Sequence, residues 1–396
     1  MESPDLIRHG TAAFRRTNLA LFSAGFATFA LLYCVQPLMP VFARDFHLTA
    51  AQSSLSLSLT TGLLAPAMIV AGAFSEARGR KGIMVGSLLA SSLLTLASAF
   101  APRWNVFLVT RALAGITFAG LPAVSMAYLS EEVDPGSIGL AMGLAIGGNG
   151  LGGMVGRLFS ASVAGLVSWR WAIGVIGCVG LVSTVVFWRT LPPSRHFVAR
   201  PLHAASLAKG FANQLRSPRL LVLYAIGFLI MGAFVSTYNY ATYHLLAPPY
   251  SVSQSVVGLI FLVYLFGIFS SAWIGARADR MGRRKMLMLM FALMLGGVAL
   301  TLLRSLAAVV VGIAVVTFGF FGGHSVASSW IGLRATDAKA QASALYLFSY
   351  YMGASIGGSL GGVFWDAAHW PGVTAYVAVL LALGLLTAGL GTGSPA

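Results

Sequence analysis

Two arginines lie inside long apolar stretches, where a charged side chain is costly unless it has a polar partner or faces a water-filled cavity. Arg111 stands eight residues past Arg103, which corresponds to roughly 12 Å of helix at about 1.5 Å per residue, and Arg157 lies about as deep in the next stretch. The acidic residues nearest to such stretches stand at their ends: Glu76, Asp279 and Asp366. The two arginines therefore either hydrogen-bond to backbone carbonyls and water or bind an anionic group of a substrate.

Other polar side chains in apolar surroundings could complete a cavity for a solute. His324 is the only histidine well within an apolar stretch. Because histidine changes charge near neutral pH, His324 is a candidate proton carrier, with a neutral histidine hydrogen-bonded in helix packing as the alternative. Tyrosines can stack on a ligand and donate a hydrogen bond, although membrane tyrosines also serve packing and interfacial anchoring. The candidate substrate-binding residues are Gln36, Arg111, Asn149, Arg157, Tyr238, Asn239, Tyr240, Tyr346, Tyr350 and Tyr351.

These residue types favour some functions and argue against others. Because the embedded charges are positive, an anionic, zwitterionic or neutral polar substrate is favoured over a lipophilic cation. The apolar stretches offer one histidine and no carboxylate pair, so we expect neither an enzyme nor a metal site. Cys34 and Cys178 both lie in apolar runs and are expected to pack there. No glycine-rich phosphate loop is found, so there is no sign of an ATP-driven pump. We expect no cofactor, and with His324 as a candidate proton carrier we expect a proton gradient as the energy source.

The composition predicts that most of the chain is surrounded by lipid. Of its 396 residues, 58% are hydrophobic and only 9% are charged, with a mean hydropathy of +0.84. We therefore predict an all-α membrane protein. Apolar runs bounded by charges, glycines and prolines predict twelve transmembrane helices. These cover approximately 18–42, 51–75, 82–101, 104–130, 137–165, 170–190, 220–246, 253–276, 286–304, 306–333, 340–366 and 372–391.

The distribution of the basic residues indicates membrane topology. The net charge of +15 could suggest a nucleic-acid partner, but the basic residues lie in short loops beside apolar runs, which is typical of a protein in the bilayer. Nineteen Lys and Arg residues fall on one side of the predicted helices. The other side has only Arg44, Arg103, Arg170 and Arg304. This asymmetry predicts a multi-pass inner-membrane protein with both termini in the cytoplasm.

The start of the chain is expected to be a membrane span. Arg15 and Arg16 precede an apolar run that is too long for the hydrophobic region of a cleaved signal peptide.

Two patterns recur in the second half of the chain. A short basic loop follows the second and the eighth predicted span, with Gly72, Gly79 and Arg80 recurring as Gly275, Gly282 and Arg283 at an offset of 203, and Glu76 recurring as Asp279. A set of glycines also recurs at an offset of 205: Gly148, Gly152, Gly153 and Gly156 match Gly353, Gly357, Gly358 and Gly361. Glycines on one helix face let another backbone approach closely, and we expect these faces at a sliding interface between the halves.

The repeats predict the domain organisation. We expect two pseudo-symmetric six-helix bundles, 1–191 and 220–396, joined by a cytoplasmic linker, 192–219. Duplicated halves in a membrane protein suggest alternating access around a central site.

The two basic loops and the twelve predicted spans resemble the major facilitator superfamily over essentially the whole chain. The family's loop motif reads Gly-x-Leu-Ala-Asp-Arg-x-Gly-Arg-Lys. The first copy matches at Gly72, Gly79, Arg80 and Lys81, with Phe74 for the leucine and Glu76 for the aspartate; the second matches at Gly275, Ala278, Asp279, Arg280, Gly282, Arg283 and Arg284, with Arg277 for the leucine. The resemblance implies the twelve-helix major facilitator fold, and it implies that the loops form a conformational latch. The implied latch residues are Gly72, Glu76, Gly79, Arg80, Gly275, Asp279, Gly282 and Arg283.

Two further motifs bear on coupling and direction. Leu108-x-x-Arg111-x-x-x-Gly115 is similar to the family's fourth-helix motif, whose arginine is associated with proton coupling, so Arg111 joins His324 as a coupling candidate. The fifth span is similar to the exporters' glycine–proline motif, but Gly153 replaces the proline and Arg157 replaces the last glycine. The sequence of this motif, Gly148-Asn149-x-x-Gly152-Gly153-Met154-x-Gly156-Arg157, is similar to that of the YnfM-like branch of inner-membrane transporters.

The first expectation is therefore a drug:proton antiporter-like secondary transporter, monomeric in the lipid bilayer, that exports a small organic solute. The alternative is uptake or facilitated exchange of an organic anion or a sugar-like metabolite.

Overall fold

The computed structural model describes residues 6–199, 204–335 and 338–391, whose regular structure is helical apart from one isolated bridge between Ile7 and Val133. The α-helices are α1 (Ala12–Tyr33), α2 (Met39–Asp45), α3 (Ala50–Arg78), α4 (Arg80–Ala99), α5 (Trp104–Phe118), α6 (Gly120–Glu132), α7 (Ile138–Leu166), α8 (Trp169–Thr190), α9 (Ala204–Leu215), α10 (Pro218–Leu246), α11 (Gln254–Val257), α12 (Tyr264–Met281), α13 (Arg283–Leu300), α14 (Leu306–Arg334), α15 (Lys339–Met352) and α16 (Gly358–Gly391). Two 3₁₀ helices (Gln36–Leu38 and Gly258–Val263) and a π-helical turn (Gly353–Gly357) connect some of them. The all-α prediction is confirmed.

Ten helical stretches of the described residues are long and apolar enough to cross a membrane. One predicted span outside this count is α13, which begins with three basic residues, Arg283–Lys285. The stretch Lys339–Gly389 is counted once although it has 51 residues, enough for two crossings of about 20 residues each. Its backbone leaves helical geometry at Ala368 and His369. With α13 counted and this stretch divided, the helical passages number twelve, as predicted.

The first long helix stops at Tyr33 because of a proline four residues later. Pro37 has no amide hydrogen for the carbonyl of Tyr33, and its ring would clash with that carbonyl in a continuous helix. The chain instead turns through the 3₁₀ helix Gln36–Leu38 into α2. This break leaves the last carbonyls of α1 without donors from their own helix.

Residue contacts divide the chain into two compact units. Among the described residues, the first comprises 6–35 and 66–199, and the second comprises 36–65 with 204–335 and 338–391. Residues 36–65 thus group with the second half of the sequence, and the division within α3 falls at Pro66. The bundles 1–191 and 220–396 and the linker 192–219 remain predictions.

In the first unit, the glycine face of α7 packs against the backbone of α1. A Cβ atom added to Gly152 would lie 2.0 Å from the carbonyl oxygen of Phe26, and one added to Gly156 would lie 2.6 Å from the Cα of Ala30. These distances are far below normal contact, so only a residue without a side chain fits at either position.

The second unit repeats this packing on α10. A Cβ added to Gly353 would lie 2.2 Å from the carbonyl oxygen of Phe228, and one added to Gly357 would lie 2.7 Å from the Cα of Gly232. The prediction that the glycine faces form an interface between the halves is therefore wrong. Each face is already covered by a long buried helix of its own unit.

Residues of the first part of α3 are held by hydrogen bonds to the second half of the sequence. The carboxylate of Asp366 accepts hydrogen bonds from the backbone N–H groups of Ala50 at 3.0 Å and Ala51 at 3.2 Å. An anion at this position also interacts favourably with the helix dipole. The hydroxyl groups of Ser53 and Tyr243 are 2.7 Å apart. These contacts explain why residues 50–65 belong to the second unit.

Candidate solute-binding and coupling sites

Arg111 bridges α5 to the open end of α1. Its fully buried guanidinium donates from Nη1 to the carbonyl of Leu31 at 3.2 Å and from Nη2 to the carbonyl of Leu32 at 2.9 Å. A cation is favoured there because the carbonyls at a helix C-terminus carry partial negative charge. Arg111 thus makes the hydrogen bonds to carbonyls that the first alternative describes, and its role in binding an anionic substrate remains a prediction.

Arg157 lies beside the same helix end. Its Nη1 donates to the carbonyl of Gly153 at 2.7 Å, and its guanidinium carbon lies 4.0 Å from the ring centroid of Tyr33, a cation–π contact. A Cβ at Gly153 would lie 3.1 Å from that Nη1. The two departures from the exporters' motif, Gly153 and Arg157, are thus one structural feature, since the glycine makes room for the arginine that folds back on it. Ser160, one turn on, donates to the carbonyl of Cys34 at 2.7 Å.

Asn149 also faces α1. A Cβ added to Gly25 would lie 2.3 Å from the Oδ1 of Asn149, so the amide of this half-buried side chain lies directly over the glycine. The three candidate residues of the first unit, Arg111, Asn149 and Arg157, therefore all contact the first helix.

In the second unit, Gln36 and Asn239 form a buried amide pair. The Nε2 of Gln36 donates to the Oδ1 of Asn239 at 2.7 Å, and both residues are at most 1% exposed. The Nδ2 of Asn239 has no hydrogen-bond partner among the described residues. Because buried donors are nearly always paired, this amide nitrogen is suited to an acceptor oxygen of a solute or to water.

The tyrosines on either side of Asn239 point to other helices. The hydroxyl of Tyr238 is 2.7 Å from Oγ1 of Thr317, and the hydroxyl of Tyr240 donates to the carbonyl of Gly358 at 2.8 Å. Successive residues of a helix point about 100° apart, so the three neighbours cannot share one surface. Tyr238 and Tyr240 link α10 to α14 and α16.

His324 belongs to an aromatic cluster on α14 and α15. Its Nδ1 is 2.9 Å from the hydroxyl of Tyr346, its ring centroid is 4.6 Å from that of Tyr350, and its ring is nearly parallel to that of Phe320 at 6.1 Å. Tyr351 meets the ring of Tyr350 edge-on, with ring centroids 5.3 Å apart. The structure thus brings three predicted residues together and adds Phe320, which its spacing of four residues from His324 could have indicated.

The two predicted basic loops are helical except at one glycine each, because residues 72–78 end α3 and residues 275–281 end α12. Gly79 has a φ of +95° and Gly282 has a φ of +85°. Each lies between two long helices, in a region of backbone space that other residues rarely adopt.

The arginine of the first loop pairs with a residue that sequence reasoning missed. Arg80 contacts the carboxylate of Glu131 through two hydrogen bonds, Nη2 to Oε1 at 2.6 Å and Nε to Oε2 at 3.1 Å, and donates from Nη1 to Ser75 at 2.6 Å. Two parallel bonds between guanidinium and carboxylate are stronger and more directional than one. Glu76 makes no salt bridge among the described residues.

The second loop has a different partner. Nη1 of Arg283 donates to the hydroxyl of Ser329 at 2.9 Å, and a Cβ at Gly275 would lie 2.9 Å from the hydroxyl oxygen of Ser325. At the equivalent position of the first copy, Gly72 inside α3, a Cβ would meet nothing within 4 Å. The side chain of Asp279 lies outside the described residues. A latch role for the eight loop residues remains a prediction.

A second acidic residue anchors the segment that follows α8. Glu132, which is 2% exposed, accepts a hydrogen bond from the backbone N–H of His196 at 2.8 Å and lies 3.0 Å from its Nδ1. A cavity of about 270 Å³ is lined in part by Glu76, Arg80, Glu131 and His196. Glu131 and Glu132 directly follow the predicted apolar run 104–130. They were not among the candidate residues because those were chosen from inside the apolar runs.

Glu131→Gln is expected to destabilise the protein more than Glu76→Gln. The Arg80 side chain is only 8% exposed and the Glu131 side chain is 28% exposed, so loss of the partner charge should cost about 1–2 kcal/mol, well below the value for a fully buried pair. Thermal unfolding of the purified variants should show a decrease in Tm of about 2–4 °C for Glu131→Gln and little change for Glu76→Gln. Equal decreases would contradict this assignment.

The chain is similar to known transporters along its whole length. A family model described as Major Facilitator Superfamily matches residues 21–247 and 233–392. The chain is 49% identical over 383 residues to the MFS-type transporter YybF of Bacillus subtilis (strain 168), covering 97% of this chain and 95% of that protein. It is 48% identical over 380 residues to the inner membrane transport protein YnfM of Escherichia coli (strain K12), covering 96% and 91%.

Solved structures show the same fold. A bacterial homologue of the human lysosomal transporter Spinster, in an inward-facing and occupied conformation, matches with a TM-score of 0.80 at 15% identity, covering 98% of this chain and all of that chain. A mutant of the nucleoside transporter NupG matches with a TM-score of 0.77 at 13% identity, covering 94% and 99%. The predicted fold class and the predicted resemblance are confirmed, and the relatives are transporters and not enzymes, as predicted.

Proposed function

Because the chain belongs to the Major Facilitator Superfamily, we propose that this multi-pass membrane transporter is a proton-coupled exporter of a small organic solute. The observation that carries the proposal is His324, a titratable group held between a hydroxyl group and two aromatic rings within a membrane helix. The name of the relative YnfM supports an inner-membrane location. The charge asymmetry supports cytoplasmic termini.

Both protonation states of His324 have partners in this cluster. The Tyr346 hydroxyl can donate to a neutral Nδ1, or accept from a protonated one, at the same 2.9 Å separation. The faces of Phe320 and Tyr350 can stabilise the imidazolium by cation–π attraction. Both protonation states of His324 therefore have a hydroxyl or aromatic partner without an adjacent carboxylate.

The proposed substrate carries an acceptor oxygen and is anionic, zwitterionic or neutral. The N–H donors of Asn239, which have no partner among the described residues, suit a carboxylate or carbonyl group, and the Tyr350 ring can stack on an apolar part. Arg111 and Arg157 add positive charge. A monomer that works without a nucleic-acid partner completes the proposal.

Uptake or facilitated exchange of an organic anion or a sugar-like metabolite is the second candidate. The observation that favours it is the departure from the exporters' glycine–proline motif at Gly153 and Arg157. The two replacements depend on each other, because Arg157 hydrogen-bonds to the carbonyl of Gly153.

Everted membrane vesicles with an inside-acid gradient and a pH-sensitive dye test the proposal. Organic anions, sugars and amphipathic drugs would be added to the parent protein, to His324→Gln and to the control His369→Gln, which changes an exposed histidine. We expect dye recovery with at least one compound, lost in His324→Gln and retained in the control. Labelled-solute uptake that ignores the pH gradient, with no dye recovery for any compound, would favour the second candidate.

A further inference from the structure

A cavity of about 330 Å³ lies in the second unit, and its lining residues include neither His324 nor Asn239. We name it the outer pocket and define it by His244, Pro249, Tyr250, Thr301, Arg304 and Trp370. His244 lies in the last turn of α10, and Pro249 and Tyr250 follow that helix. Thr301 and Arg304 lie between α13 and α14, and Trp370 directly follows the irregular backbone of α16. By the count of basic residues, this is the non-cytoplasmic end. Its volume is in the range of small-molecule sites.

The walls of the outer pocket are aromatic and fixed in place. The Trp370 indole donates to the carbonyl of Thr301 at 3.1 Å, and the Tyr250 hydroxyl donates to the carbonyl of Leu303 at 3.2 Å. The His244 ring stacks on Trp370 with centroids 4.7 Å apart and an interplanar angle of 6°, and Tyr250 meets it edge-on at 5.1 Å. Trp370 is 3% exposed, so it is a wall residue and not one of the interfacial anchors that face lipid.

Two polar groups of the outer pocket have a binding capacity that the described residues do not use. The Nε2 of His244 is buried and has no hydrogen-bond partner within the described ranges, a situation that usually indicates a missing ligand or water. Arg304 is exposed at the rim, and no salt bridge to it is found in the part of the chain that the structure describes. The pocket thus combines apolar surfaces with a cation and an unmatched imidazole nitrogen.

We propose that the outer pocket binds an organic anion whose anionic oxygens meet Arg304 and whose flat apolar body packs against Tyr250 and His244. Guanidinium groups bind carboxylate and phosphate with matching geometry, and aromatic walls favour a ring or a short apolar chain. The same chemistry could come from a free aromatic carboxylate or from the headgroup region of an anionic lipid. The inference stands apart from the proposed export function, because it concerns binding alone.

Equilibrium dialysis of 1-naphthoate against the full chain in phosphatidylcholine nanodiscs tests the proposal, with empty discs as the blank. We expect saturable binding whose dissociation constant rises at least fivefold in Arg304→Gln. The matched control Arg103→Gln removes another exposed arginine of the same predicted side, in the first unit, and should leave the constant unchanged. The readout is the change in the dissociation constant between the parent and Arg304→Gln, which binding at Asn239 or His324 would not produce.

Two further comparisons make each outcome decisive. The neutral analogue 1-naphthylmethanol should bind the parent protein and Arg304→Gln alike, which shows that the variant retains its pocket. In discs that contain phosphatidylglycerol, competition by the lipid would raise the dissociation constant of the parent protein for naphthoate about fivefold and leave that of Arg304→Gln unchanged, which identifies lipid as the natural source of the anion. An unchanged dissociation constant in the parent protein identifies a free solute. Equal naphthoate affinity in the parent and Arg304→Gln, or no saturable binding in either lipid, overturns the proposal.

Discussion

Gly152→Val is expected to abolish the accumulation of folded protein. The first side-chain carbon would lie 2.0 Å from the carbonyl oxygen of Phe26 and 2.6 Å from its Cα, so α7 and α1 would have to separate. Overpacking of a well-packed core by one or two methyl groups costs typically about 1–3 kcal/mol. Here the obstacle is backbone, which cannot move aside as a side chain can, and the separation would also disturb Gly148 and Gly156 on the same face.

A fluorescent-protein fusion analysed by size-exclusion chromatography measures this effect. The matched control is Gly147→Val on the same helix, where an added Cβ would meet nothing within 4 Å. Because valine has a slightly higher helix propensity than glycine, the control should retain a single monodisperse peak and an unchanged or slightly raised Tm. The corresponding change in the second unit, Gly353→Val, should fail as Gly152→Val does, since its Cβ would lie 2.2 Å from the Phe228 carbonyl oxygen. Normal behaviour of Gly152→Val would show that α1 and α7 are not in backbone contact.

The helices could be predicted from the sequence because a bilayer permits few alternatives. Every backbone polar group in lipid must be hydrogen-bonded internally, so each sufficiently long apolar run becomes a helix. Some breaks also coincide with a residue type that favours them, as Pro37 does after α1 and as Gly79 and Gly282 do with positive φ, although Pro66 lies inside the continuous helix α3. The fold followed from such local rules.

The partners of the polar residues could not be predicted in the same way. Arg80 and Glu131 are separated by 51 residues, and His324 and Tyr346 by 22, so their contacts depend on which helices become neighbours and on how each helix is rotated. The glycine pattern showed that a backbone approaches closely but not which one. A periodic pattern identifies a face of a helix; only the packed structure identifies what covers that face.

One pairing within a single helix was within reach of the sequence. Gly153 and Arg157 are four residues apart, which places them on the same face of α7. Considered separately, they are two departures from a family motif. Considered together, they predict that the arginine folds over the glycine, as the 2.7 Å hydrogen bond to the Gly153 carbonyl shows.

Arg111→Met is expected to destabilise the protein in the absence of any solute and to abolish transport of every substrate. The change removes the guanidinium donors from the carbonyls of Leu31 and Leu32 inside the first unit. Among the described residues, the Leu31 carbonyl keeps only the weak donor Cys34 Sγ at 3.3 Å, and each buried group that loses its donor costs about 1–3 kcal/mol. Removing the buried charge returns part of this cost, so we expect a net loss of about 2–4 kcal/mol. Arg111→Lys, which keeps a charged donor on a similar stem, should recover part of the stability.

The thermal stability of the solute-free protein separates this role from substrate binding. If the guanidinium served mainly to bind an anionic substrate, Arg111→Met would lose affinity while its solute-free Tm stayed at the parent value. The matched control is Arg170→Met: Nη1 of Arg170 also donates to two backbone carbonyls, those of Ala99 at 3.0 Å and Ala101 at 2.9 Å, but from an exposed side chain. Its loss should cost less than about 1 kcal/mol, because water replaces the donor. A larger Tm decrease in Arg111→Met than in Arg170→Met would therefore identify burial of the α1 carbonyls as the reason that a charge is kept so deep in the membrane.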